Sequence, residues 1–166
     1  LSMRKIFLTL LVLLVSFVAF AEVKTHSVII SYTVDAVEPE FVIQDIKTGE
    51  TGKVINYLSK DIAKENVTGY FRIIQANNAK YCGSIAIDVK ATELEASVNG
   101  TTYTTQGVSI YSDGMNFGSS MSFVLNYDGS SAPKDIVRAF AVLWKTNDSL
   151  VKASYSANVS ISYTSI

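Results

Sequence analysis

Near its C-terminal end the chain alternates without a break: Tyr155, Ala157, Val159, Ile161 and Tyr163 are separated by Ser156, Asn158, Ser160 and Ser162. Successive side chains of an extended chain point to opposite faces, so this pattern sorts into one apolar face and one fully polar face. A helix would wrap the same residues around its axis and mix the two sets. Segment 155–163 is therefore expected to be a half-buried strand. The same period recurs upstream. Met121, Phe123, Leu125 and Tyr127 alternate with Ser122, Val124 and Asn126; Ile85, Ile87 and Val89 alternate with Ser84, Ala86, Asp88 and Lys90. Ile136, Arg138, Phe140, Val142 and Trp144 share one side of an expected strand 136–145, and 69–75 (GYFRIIQ) reads as another. Turn signals separate these runs: 48–52 (TGETG), Asn77-Asn78, Asn99-Gly100, Asp113-Gly114, Asp128-Gly129 and 146–148. Short strands at regular spacing between such turns predict an all-β sandwich. Only 60–66 (KDIAKEN) and 91–96 (ATELEA) read as short helical turns. Pro39 and Pro133 both fall between expected strands, where proline is tolerated.

The other end of the chain bears on compartment. Arg4 and Lys5 precede an apolar run from Ile6 to Phe20, and Ala19-Phe20-Ala21 places small residues where a signal peptidase reads. Residues 1–21 are expected to be a cleaved secretory signal, since the run is shorter than the ~20 residues of a spanning helix. Its removal takes 21 of the 166 residues and leaves 145, one domain by size. No later segment is apolar enough to span a bilayer as a helix. A formal net charge of −1 gives no sign of a nucleic-acid partner. Cys82 is the one cysteine, so no intrachain disulfide can form, and stability must come from packing or from partners.

The residues offer little chemistry. His26 is the one histidine and lies close to the expected mature start, where no scaffold holds it for a triad. Metal sites need several His, Cys or carboxylate ligands at set spacing, which His26 and Cys82 do not supply. Asp113-Gly-Met-Asn116 resembles the start of a calcium loop but lacks its later ligands; a hairpin turn explains it better. Glu38 with Glu40 and Glu93 with Glu95 read as solvated pairs. No catalytic residue, metal ligand or cofactor is expected.

Segment 27–35, SVIISYTVD, then stands out. Val28, Ile30, Tyr32 and Val34 form an apolar face directly after the leader. Periodicity leaves two readings open: an ordinary first strand of this domain, or a strand made for another one. The stretch 22–49 (EVKTHSVIISYTVDAVEPEFVIQDIKTG) resembles the mature N-terminus of alpha-class chaperone–usher pilins, the major subunits of enteric colonisation-factor fimbriae. Segment 72–92 is similar to the family's next paired strands, and 154–166 to its closing strand. The chain departs from the pattern in having Ala36, where family members often place proline after the aspartate, and Lys152-Ala153-Ser154 without a glycine before the closing strand.

This resemblance implies an incomplete immunoglobulin-like β-sandwich over 37–166, with one strand supplied in trans, and a donor-strand extension over 22–36. Val28, Ile30, Tyr32 and Val34 would insert into a neighbouring subunit. Their burial is worth ~1.5–3 kcal/mol each, roughly 6–12 kcal/mol before ordering costs. Phe41, Ile43, Tyr155, Ala157, Val159, Ile161 and Tyr163 would flank the acceptor groove. The implied partners are identical subunits in a fibre, a periplasmic chaperone, an outer-membrane usher and a candidate tip adhesin. The implied place is a surface fimbria reached through the periplasm. Two other readings stay open: a monomeric, lectin-like exported binding module using Tyr103, Tyr111, Phe117 and Tyr127, and, less favoured, a secreted hydrolase.

Overall fold

A computed structural model describes residues 37–60, 62, 65–129 and 135–166, all within one compact unit, Asp35–Ile166. Every regular element among them is a strand: β1 Phe41–Asp45, β2 Thr51–Gly52, β3 Val54–Ser59, β4 Val67–Gln75, β5 Cys82–Ala91, β6 Glu95–Val98, β7 Thr101–Thr104, β8 Gly107–Ser112, β9 Met115–Asn116, β10 Ser120–Asp128, β11 Arg138–Lys145 and β12 Tyr155–Ser165. They form two antiparallel sheets. The first runs β2-β1-β4-β11-β8-β9; the second runs β10-β5-β12-β6-β7, with β3 also paired to β12. Their inner faces share one core, in which Phe41, Ile43, Phe71, Ile73, Val142 and Trp144 of the first sheet meet Ile55, Ile87, Val89, Met121, Tyr155 and Val159 of the second. The arrangement is that of a β-sandwich.

The period-two segments become strands in the expected phase. In β12, Tyr155, Ala157, Val159 and Ile161 are buried, whereas Asn158 and Ser162 are exposed. Left-handed backbone at Asn99 and Gly100 (φ 51° and 82°) and at Asp113 and Gly114 (φ 51° and 77°) makes the tight turns of the β6–β7 and β8–β9 hairpins. The calcium-like Asp113–Asn116 stretch is thus part of a hairpin. Among the described residues, no three His, Cys, Asp or Glu side chains cluster as a metal site.

Two expectations are corrected. Segment 91–96 contains no helical turn: Ala91 ends β5, Glu95 starts β6, and Leu94 is fully buried. The Leu94 N–H donates to Thr105 Oγ1 at 3.1 Å, and the Thr105 N–H returns a bond to the Leu94 carbonyl. Tertiary burial and pairing outweigh the helix propensity of Ala, Glu and Leu. The strand expected from residue 136 begins at Arg138, leaving Ile136 about half exposed at 52%. In 60–66 the described residues Lys60, Ile62, Glu65 and Asn66 are not helical; the remainder of that segment lies outside the described residues. So do the leader 1–21, His26 and the whole of 22–36, including Val28, Ile30, Tyr32 and Val34.

Candidate assembly edge

The expected groove residues fall on two strands, β1 and β12, which belong to opposite sheets along one side of the sandwich. What joins them there is the chain from Thr51 to Ser59. Its first part, β2, pairs with β1 through Ile43–Gly52 and Gln44–Thr51. At Lys53 it changes sheets. Its second part, β3, pairs with β12 from Tyr155–Ser59 to Ser160–Val54. Had the β1–β2 ladder continued, Val54 would face Phe41; instead it faces Ser160.

The crossing leaves each sheet short of a partner on one side of Lys53. The Ile161 N–H donates to the Lys53 carbonyl at 2.9 Å. Strand alternation turns the backbone groups of Tyr163 and Ser165 the same way, past the end of β3. Among the described residues no strand pairs with them there. In β1, the Asp45 N–H reaches the Glu50 carbonyl on the β2 side, so Phe41 also presents its backbone to that side, beyond the end of β2. The two unpaired stretches face each other. The Phe41 and Tyr163 rings meet edge to face, 5.1 Å between centroids. Ser165 Oγ donates to Glu38 Oε1 at 2.8 Å, and the Lys53 ammonium lies 5.2 Å above the Tyr163 ring.

The seven expected flanking residues therefore divide. Tyr155, Ala157 and Val159 lie along the part of β12 that β3 covers, and Ile43 lies where β2 covers β1. Ile161 lies at the boundary, its N–H bonded to the Lys53 carbonyl, and Phe41 and Tyr163 lie at the part left open. Lys53, Glu38 and Ser165 are additions that the alternation pattern does not single out. Their signal in the sequence is weak: 54–59 (VINYLS) carries apolar residues on both faces and so has no clean period.

Tyr155 has a second role. Its ring is fully buried, its hydroxyl donates to the Val151 carbonyl at 2.9 Å, and the Val151 N–H donates back to it at 3.1 Å. This pins the β11–β12 connection to the start of β12. Behind the edge, Tyr57 of β3 stacks on Trp144 (4.8 Å, 19°), and the Trp144 indole N–H donates to the Thr92 carbonyl at 2.8 Å. Burial, with the Asp45 carboxylate adding to it, pushes the Tyr57 phenol above its usual range.

The aromatics of the alternative binding reading do not converge. Tyr103 sits on β7, which pairs with β6, and Tyr127 near the end of β10, where it pairs with Gly83 of β5. Tyr127 is buried and donates to Gln75 Oε1 at 3.2 Å. Tyr111 and Phe117 lie near the β8–β9 hairpin, where Asn116 Nδ2 donates to the Tyr111 hydroxyl. Glu93 and Glu95 line a polar depression of ≈ 200 Å³ with Thr92, Ser156, Ala157 and Asn158. Cys82 opens β5 and is exposed.

No protein-family model, no curated protein and no solved structure matches the chain. Among the described residues no helix is long and apolar enough to cross a membrane.

Proposed function

We propose that this chain is a structural subunit of a surface fimbria, assembled through the chaperone–usher pathway by donor-strand exchange. The observation that carries the reading is the open edge past Lys53, where the backbones of Tyr163, Ser165 and Phe41 lack a strand partner among the described residues. An unpaired edge is a template for β-strand addition. Segment 27–35, just upstream of this domain, has the alternating sequence pattern such an added strand needs. Its apolar face of Val28, Ile30, Tyr32 and Val34 would enter a neighbour's open side.

In this reading the sandwich is immunoglobulin-like and lacks the strand that would complete the outer edge of β12. The Tyr155 hydroxyl bonded to the backbone four residues upstream supports this, because such a tyrosine corner at the start of a late strand recurs in immunoglobulin sandwiches. A periplasmic chaperone would cover the edge until an outer-membrane usher exchanges it for the next subunit's extension.

The decisive test separates assembly from folding. In the full chain, Ile30→Asp or Tyr32→Asp is expected to abolish fibre formation, seen by electron microscopy and by loss of high-mass ladders. The melting temperature of the chaperone-bound subunit should stay within a degree or two of the parent. A fall in that melting temperature of the size seen for a core substitution would return 27–35 to an ordinary first strand, and the proposal would fail.

A further inference from the structure

The edge of the second sheet opposite β3 is formed by β10. A second crossing strand shapes this side. After β9 pairs with β8, the Ile110 N–H donates to the Gly118 carbonyl at 2.6 Å, and the chain then leaves β8 to become β10. β10 pairs with β5 along its whole length, Ser120–Lys90 to Asp128–Cys82. The Ala91 N–H donates to the Ser119 carbonyl, so odd-numbered residues of this strand direct their backbone groups at β5. Ser122, Val124 and Asn126 must then direct theirs away from the sheet. Among the described residues no strand pairs with that outer edge.

Exposed edges are ordinarily blunted by shortness, proline, a bulge or charge. β10 is nine residues long, Ser120–Asp128, and its one charged residue is Asp128 at the end; 120–127 (SMSFVLNY) contains no charge, proline or glycine. A segment of this composition on a free edge either aggregates or has a partner.

We propose that β10 pairs antiparallel with β10 of a second copy of this chain, about a two-fold axis through Val124. The strand is self-complementary in that register. Val124 would face Val124, and Ser122 would face Asn126 in both directions, so these three outward-directed residues all find hydrogen-bonded partners. On the inner side, half-buried Phe123 would lie opposite Leu125 of the second copy. No like charges meet. Val124, 50% exposed in the single chain, would be covered by its own equivalent. The pairing is isologous and closes on itself, so it yields a dimer and not a filament. It uses the sheet edge opposite β3 and needs nothing from 27–35.

The test uses the full chain carrying Ile30→Asp, to close the donor-strand route, in sedimentation velocity over a concentration series. The expected result is a species of twice the monomer mass. Adding Val124→Lys should reduce it to the monomer mass, because two lysines would then oppose each other at the axis. Adding Ser160→Lys, on β12, should leave the dimer intact. A monomer at every concentration, or a dimer that survives Val124→Lys, overturns the proposal. Amide exchange of the unsubstituted chain gives an independent readout should a variant fail to fold: the Ser122, Val124 and Asn126 amides should slow with rising concentration. Fast exchange of these three at every concentration overturns it as well.

Discussion

The missing side chain of Gly69 makes room for two rings. A Cβ there would lie 2.7 Å from Phe71 Cε2 and 3.1 Å from Trp144 Cζ3, and both rings are fully buried. Neither can swing into solvent, so Gly69→Ala is expected to cost ~1–3 kcal/mol through overpacking, read as a lower urea midpoint at unchanged slope. At the far end of the core, burial raises the Tyr127 phenol above its usual value, as it does for Tyr57. The folded state then holds these protons more tightly than the unfolded state does. Their contribution is complete below about pH 10, the ordinary tyrosine value, and is lost as pH rises through the higher folded values. Urea midpoints measured from pH 9 upward should fall accordingly. Tyr127→Phe should make that fall shallower and, by leaving Gln75 Oε1 without its donor, cost ~1–2 kcal/mol at neutral pH.

At the scale of elements, the strands with one wet face were legible and those without were not. β12, β10 and β5 each show apolar residues on one side and polar residues on the other, and each forms with its inner residues in the core. β3 was hidden because it is an edge strand with Val54 and Leu58 exposed and Ile55 buried, so its apolar residues mark both faces. β6 was misread because Ala, Glu and Leu favour helix locally, while what decides its state is Thr105, eleven residues downstream, bonding Leu94. The hairpin turns at Asn99-Gly100 and Asp113-Gly114 could be seen from the dipeptides alone, since few residues other than glycine, asparagine and aspartate accept that backbone. The candidate site was legible in part. Alternation marked β12 as a strand, but only the family resemblance pointed to β1 and β12 as groove flanks, and where β3 stops along β12 depends on the turn at Lys53, which no local pattern encodes.

For the whole molecule, the open side past Lys53 sets a further expectation on the proposed assembly. A copy of 22–36 joined after Ile166 through a flexible linker would offer the donor strand within the same chain. The fused protein should run as a monomer, resist polymerisation and melt well above the unfused chain, since an intramolecular strand acts at high effective concentration. A fusion that melts where the parent melts and still polymerises would count against strand donation at this edge.

The stretch Thr51–Ser59 has one more consequence. Because the same nine residues pair with β1 in one sheet and with β12 in the other, neither sheet can loosen along that side without disturbing its counterpart. The stretch β9 to β10 ties the two sheets in the same way on the other side. The sandwich is thus stitched at both flanks by continuous backbone, in a chain with no cystine to do it. Its two halves should open as a single cooperative unit, with few partially unfolded states between intact and lost.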